Sequence, residues 1–170
     1  MSTKTMKELE ELAGNGDFGA VFELGQRYYN GIGVNIDYAK AREYFEVAAE
    51  NGSQASNYYL GKIYYNGNGV ETNHLKAKEY FEKSSKADNV FSTYYLGKIY
   101  YWGDGVEKDY NKANEYKTSI LNKPIYANQD AGLEEFYSVP DFEGLTRGYV
   151  GELQQKVLLE YKNLFGKEEI

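Results

Sequence analysis

LGKIYYNGNGV, residues Leu60 to Val70, is followed 36 residues later by LGKIYYWGDGV, Leu96 to Val106. The two copies differ only where Trp102 replaces Asn66 and Asp104 replaces Asn68. A looser copy, LGQRYYNGIGV, begins at Leu24. The same spacing links Gly25, Gly61 and Gly97, then Gly31, Gly67 and Gly103, then Gly33, Gly69 and Gly105. It also links Val34, Val70 and Val106; Asp37, Asn73 and Asp109; Ala41, Ala77 and Ala113; and Tyr44, Tyr80 and Tyr116. So many columns in one register, without gaps, define an internal repeat. A period of this size marks an array of supersecondary units.

Each unit reads as two helices. In the first, from Ser53 to Asn66, Tyr58, Leu60, Gly61 and Tyr64 recur at helical spacing. It stops at Gly67, since glycine takes the left-handed conformation that closes a helix end. The second glycine sharpens the turn, and Val70 plugs it. The second helix starts at Asp37, Asn73 or Asp109, whose side chains accept hydrogen bonds from orphan backbone N–H groups. Glycine inside a helix costs about 1 kcal/mol relative to alanine. Gly25, Gly61 and Gly97 therefore mark a close approach, expected against the small Ala41, Ala77 and Ala113 of the second helices.

These columns carry a resemblance. GSQASNYYLGKIYYNGNGVETNHLKAKEYFEKSS, Gly52 to Ser85, resembles the Sel-one-like repeat, a relative of the tetratricopeptide repeat. The likeness runs from Met6 to Leu121, with ELAGNG (Glu11 to Gly16) closing a leading half unit. It implies an all-α fold, a short right-handed α-solenoid whose first helices line a concave face. It also implies an adaptor or scaffold that binds proteins or peptides. Two departures stand out: the chain has no cysteine to bridge its helices, and Lys117 stands where Phe45 and Phe81 stood.

The organisation expected is repeats over 1–121, a non-repeat excursion over 122–144 opening at Lys123-Pro124, and a capping helix over 145–170. In the last, Leu145, Tyr149, Leu153, Val157, Tyr161 and Leu164 recur every three or four residues. Solenoid ends need such a cap.

Composition narrows function. The net charge is −7, with no basic stripe for phosphates, which argues against nucleic acid and against an anionic membrane surface. Without cysteine there is neither a thiolate metal site nor a cysteine nucleophile, which suits a reducing cytoplasm. No signal-like segment or membrane-length apolar run is expected. The only histidine, His74, follows a helix cap and reads as a surface residue. Gly-x-Gly follows a helix and lacks a third glycine, so it is no dinucleotide loop. Glu8, Glu10 and Glu11, or Glu134 and Glu135, read as solvated faces. The expectation is no enzyme, no cofactor and no metal.

Subtracting the structural columns leaves one stripe on the first helices: Glu23, Gln26 and Asn30; Tyr59, Lys62 and Asn66; Tyr95, Lys98 and Trp102. Each trio shares a face at three- and four-residue spacing. Gln26, Asn30, Tyr59, Lys62, Asn66, Tyr95, Lys98 and Trp102 are thus the expected partner-binding residues, with Tyr29, Tyr65 and Tyr101 beside them. Two alternatives for the stripe stay open: inter-repeat packing, or a groove filled by the excursion through Phe136, Tyr137 and Phe142. Rival functions are an inhibitor neutralising a basic toxin or enzyme, an enzyme using Glu134 or Asp141, and a self-associating structural repeat.

Overall fold

The computed structural model describes residues 3–121, which form helices joined by short turns. They are α1 (Met6–Gly14), α2 (Phe18–Asn30), α3 (Tyr38–Glu50), α4 (Gln54–Asn66), α5 (His74–Ser85), α6 (Val90–Trp102) and α7 (Tyr110–Leu121). Each helix packs on its neighbours in the chain, and α4 also touches α6, so the units stack in sequence order. The described residues contain no strand. The expected excursion and capping helix, with Phe136, Tyr137, Phe142, Glu134 and Asp141, lie outside them.

Helix boundaries follow from side chains that satisfy orphan backbone groups. Asp37, Asn73 and Asp109 accept from the N–H of Lys40, Lys76 and Lys112 at 3.0, 2.9 and 2.9 Å. Gly31, Gly67 and Gly103 close the first helices in the left-handed region, at φ of 70°, 68° and 72°. One bond then fixes every turn: the N–H of Asp37, Asn73 and Asp109 donates to the carbonyls of Tyr28, Tyr64 and Tyr100, each at 2.9 Å. The second turn glycine has a further role. A Cβ on Gly69 would lie 3.0 Å from the Cβ of Tyr38, and one on Gly105 3.1 Å from the Cβ of His74. The second and third turns therefore seat this glycine on the start of the preceding unit's second helix.

The mid-helix glycines do mark a close approach, but not against alanine. A Cβ on Gly25 would lie 2.7 Å from the ring of Phe45, and one on Gly61 2.6 Å from that of Phe81. Ala41 and Ala77 are fully buried alongside. The aromatic ring comes this close to the helix because only glycine leaves it room. Phe45 and Phe81 are themselves fully buried, each burial contributing about 2–3 kcal/mol. A continuous core runs from Val21 through Phe45, Leu60, Phe81 and Ile99. Leu9, Ala20 and Leu24 form a smaller cluster under α1.

Candidate interaction site

The stripe expected to face outward is largely consumed by packing. Tyr59 is 1% exposed, and its ring stacks on Phe45 of the preceding unit, centroids 4.6 Å apart and 12° from parallel. Its hydroxyl accepts from Gln26 Nε2 at 3.3 Å, and Gln26 is buried too. Tyr95, half-buried, repeats the stack one unit on, 4.6 Å from Phe81 at 8°. A Tyr at this position therefore joins units, and the outward placement expected for Tyr59 and Gln26 does not hold. The spacing put these residues on one face but could not say that the neighbouring unit covers that face.

The lysines of the stripe are held by aromatic rings. Lys62 is buried, its Nζ 5.5 Å from the ring centroids of both Tyr29 and Tyr58. Lys98, half-buried, lies 5.7, 5.4 and 5.3 Å from Tyr65, Tyr94 and Tyr95. Glu23 is tied to Arg27 at 2.7 Å. Tyr29 and Tyr65 pack edge-on against Tyr59 and Tyr95 at 5.2 and 5.3 Å. The Tyr65 hydroxyl donates to Asp104 at 2.8 Å across units. Burial first, then that bond, hold this phenol well above its usual 10.0. His74 is half-buried with its ring 5.0 Å from Tyr65, so it belongs to this packing more than to bare surface.

What stays accessible is the column at the carboxyl ends of the first helices. Asn30 is half-buried and donates to the Gln26 carbonyl at 3.0 Å; Asn66 is exposed; Trp102 is 48% exposed. Trp102 stands perpendicular to Tyr101, 4.9 Å away at 88°. Tyr101 also lies 5.2 Å from Tyr110, which is 61% exposed. The sequence reading passed over Tyr110, although it stands in the column of Tyr38 and His74.

A second regularity also escaped that reading. Tyr28 stacks with Tyr44, Tyr64 with Tyr80 and Tyr100 with Tyr116, at 5.8, 5.8 and 6.0 Å. Lys40, Lys76 and Lys112 lie over the first ring of each pair at 5.1, 4.3 and 4.5 Å. The 36-residue recurrence of those lysines was the available signal. Beside this ladder, α3, α4 and α5 enclose an open groove of about 500 Å³. It is lined by Glu46 and Glu50 of α3, by Asn57 of α4, and by Tyr80 and Lys83 of α5 with Lys86 just beyond it. Among the described residues no group of three or more His, Cys, Asp or Glu is placed to hold a metal ion.

With this geometry in place, comparison with known proteins is decisive on one point. The Sel1 repeat profile matches residues 19–53, 54–89 and 90–116, over half of the chain. The chain belongs to the Sel1 repeat family. Its fold is the all-α solenoid of that family, and Sel1 repeat proteins are in general protein-interaction scaffolds. The chain is similar to the Sel1 repeat protein from Oxalobacter formigenes, with 31% identity, 69% of this chain and 90% of that one covered, and a TM-score of 0.58. It is also similar to a protective antigen of uropathogenic Escherichia coli displaying an SLR fold, with 28% identity and a TM-score of 0.65. That likeness covers 93% of this chain but 32% of the antigen, so the chain spans about a third of its length. A comparison with curated proteins gives no match.

Proposed function

We propose that this Sel1 repeat protein is a non-enzymatic interaction module that binds a protein or peptide across the carboxyl ends of its first helices. Trp102 carries the reading. It is the one large side chain of the expected stripe that packing leaves half open, and Trp is the residue type that most often dominates interface energy. Asn66 and half-buried Asn30 continue the row with hydrogen-bonding groups. The buried members, Tyr59, Lys62 and Gln26, act in this reading as the base that holds the row in register. The net charge of −7 favours a basic partner through long-range steering, as suits an adaptor or an inhibitor alike. No helix among the described residues is long and apolar enough to cross a membrane.

The test is capture of partners from the native host by the intact chain and by Trp102→Ala, with folding checked by circular dichroism. Loss of a captured protein in the folded variant supports the reading. Capture unchanged by Trp102→Ala overturns it.

A further inference from the structure

The groove bounded by α3, α4 and α5 lies inside the described array, with α2 packed on α3 and α6 on α5. The 36-residue register shows what is particular to it. Leu60, Tyr80 and Glu46, which line it, stand in columns that recur unchanged: Leu24 and Leu96, Tyr44 and Tyr116, Glu10 and Glu82. Its other polar residues break their columns. Gln54 stands where the neighbouring units have Phe18 and Val90, Asn57 where they have Val21 and Thr93, and Lys83 where they have Val47 and Ser119. Glu50 and Lys86 share one column, with Gly14 before them, and bring opposite charges to the same groove.

Asn57 is the least expected of these. It is 6% exposed, at a position that Val21 fills in the first unit with a buried apolar side chain. Burying an amide is unfavourable unless its groups are hydrogen-bonded. Among the described residues the Asn57 side chain makes one bond, donating from Nδ2 to Gln54 Oε1 at 3.2 Å. That leaves a carbonyl oxygen and a second N–H of a groove-lining amide to bond a ligand, as a peptide group would require. The charges are likewise uncommitted. Among the described residues Glu50 and Lys86 enter no ion pair, Glu46 reaches Arg42 at 3.8 Å, and Lys83 lies over the Tyr80 ring at 5.3 Å. The carboxylates come from α3 of one unit, and the ammonium groups from α5 of the next and the residue that closes it. A ligand that meets both therefore needs its own charges on separate groups.

We propose that this groove binds a short extended segment of a partner protein that carries one basic and one acidic side chain. The basic group goes to Glu46 and Glu50, the acidic group to Lys83 and Lys86, and the backbone between them bonds the amides of Asn57 and Gln54. A groove of about 500 Å³ falls within the roughly 300–1,000 Å³ typical of ligand sites and has room for a few residues of chain. The site shares no residue with the row that ends at Trp102, so it goes beyond the interaction reading above and stands without it.

The test is selection of a displayed library of random short peptides on the intact chain. Counter-selection on the combined variant Glu50→Gln, Asn57→Val, Lys86→Gln removes peptides that bind elsewhere. Circular dichroism checks its fold, and if it does not fold the pair Glu50→Gln, Lys86→Gln, both at exposed positions, takes its place. The surviving peptides should carry both a basic and an acidic residue. By fluorescence polarisation, Glu50→Gln and Lys86→Gln should each weaken their binding about three- to fivefold, and rising salt should weaken it further. Asn57→Val should weaken it about tenfold while leaving the urea midpoint at or above that of the unmodified chain, a combination that a packing role for Asn57 does not give. Trp102→Ala should bind these peptides as the intact chain does. No surviving peptide, or survivors of one charge or none, overturns the proposal. So does equal competition by free amino acids, which would make the groove a small-molecule site. An Asn57→Val protein whose stability falls while its peptide affinity holds overturns it as well.

Discussion

Tyr59 lies flat on Phe45 of the preceding unit, ring centroids 4.6 Å apart and 12° from parallel. Both rings are buried, so the stack is an inter-unit joint. Replacing Tyr59 by alanine should cost about 3–5 kcal/mol, the usual loss for a large buried aromatic. Tyr59→Phe keeps the ring and forfeits the bond from Gln26, about 1 kcal/mol. In a stacked array a weakened joint also uncouples neighbours, so the alanine variant should unfold less cooperatively. Urea titrations followed by circular dichroism check both points. An alanine variant with an unchanged midpoint would refute the joint.

Gly61 and Phe81 make the matching joint within a unit. A methyl group at Gly61 would meet the Phe81 ring at 2.6 Å, too close without displacement of one helix. Gly61→Ala should therefore destabilise by about 1–3 kcal/mol through overpacking, despite alanine's better helix propensity. Coupling to Phe81→Leu tests the cause, because a smaller side chain relieves the clash. The double variant should then lose less than the sum of the two single losses. Additive losses would place the strain elsewhere.

The repeat, the helix pairs, the capping residues and both turn glycines could be read from spacing because each rests on local backbone chemistry. Periodicity also placed Tyr59, Lys62, Tyr95 and Lys98 on one face. It could not show whether water or the preceding unit covers that face, since the neighbour lies a whole period away. The same blindness led to Ala41 and Ala77 in place of Phe45 and Phe81 as the cover for the mid-helix glycines. Trp102 was legible for the opposite reason: it breaks the column, so no packing role recurs for it. Tyr110 stayed hidden because the other members of its column, Tyr38 and His74, lie against the glycines of the following turns.

Alkaline pH should loosen the array from its tyrosines. Tyr65 is held above its usual 10.0, first by burial and then by its bond to Asp104; burial raises Tyr44, Tyr80 and Tyr116 as well. A group that keeps its proton more tightly when folded gives its full stabilisation below the unfolded value of 10.0. That contribution is lost as pH rises toward the folded value, because only the unfolded chain has released its proton. Lys76 and Lys112, raised mainly by bonds to Tyr64 and Tyr100, act in the same sense. Urea midpoints should thus fall between about pH 9 and about pH 11. The fall should be shallower in Tyr65→Phe, and a slope identical to that of the unmodified chain would exclude Tyr65 as a contributor.

Trp102 and Tyr95 separate binding from folding within one helix. Tyr95 stacks on Phe81 at 4.6 Å, so its truncation damages the joint and weakens any binding indirectly. Trp102 is 48% exposed, and its ring packs edge-on against its neighbour Tyr101, so truncation there removes little that holds the units together. Trp102→Ala should leave the unfolding free energy within about 0.5 kcal/mol, as expected for surface positions. Tyr95→Ala should lose several times that amount. If Trp102 is an interface centre, its removal should still weaken partner binding by about 2 kcal/mol, roughly thirtyfold. Denaturation and calorimetry on the same two variants measure both quantities. A Trp102→Ala protein as destabilised as Tyr95→Ala would return Trp102 to the packing residues, and the break in its column would then need a structural cause.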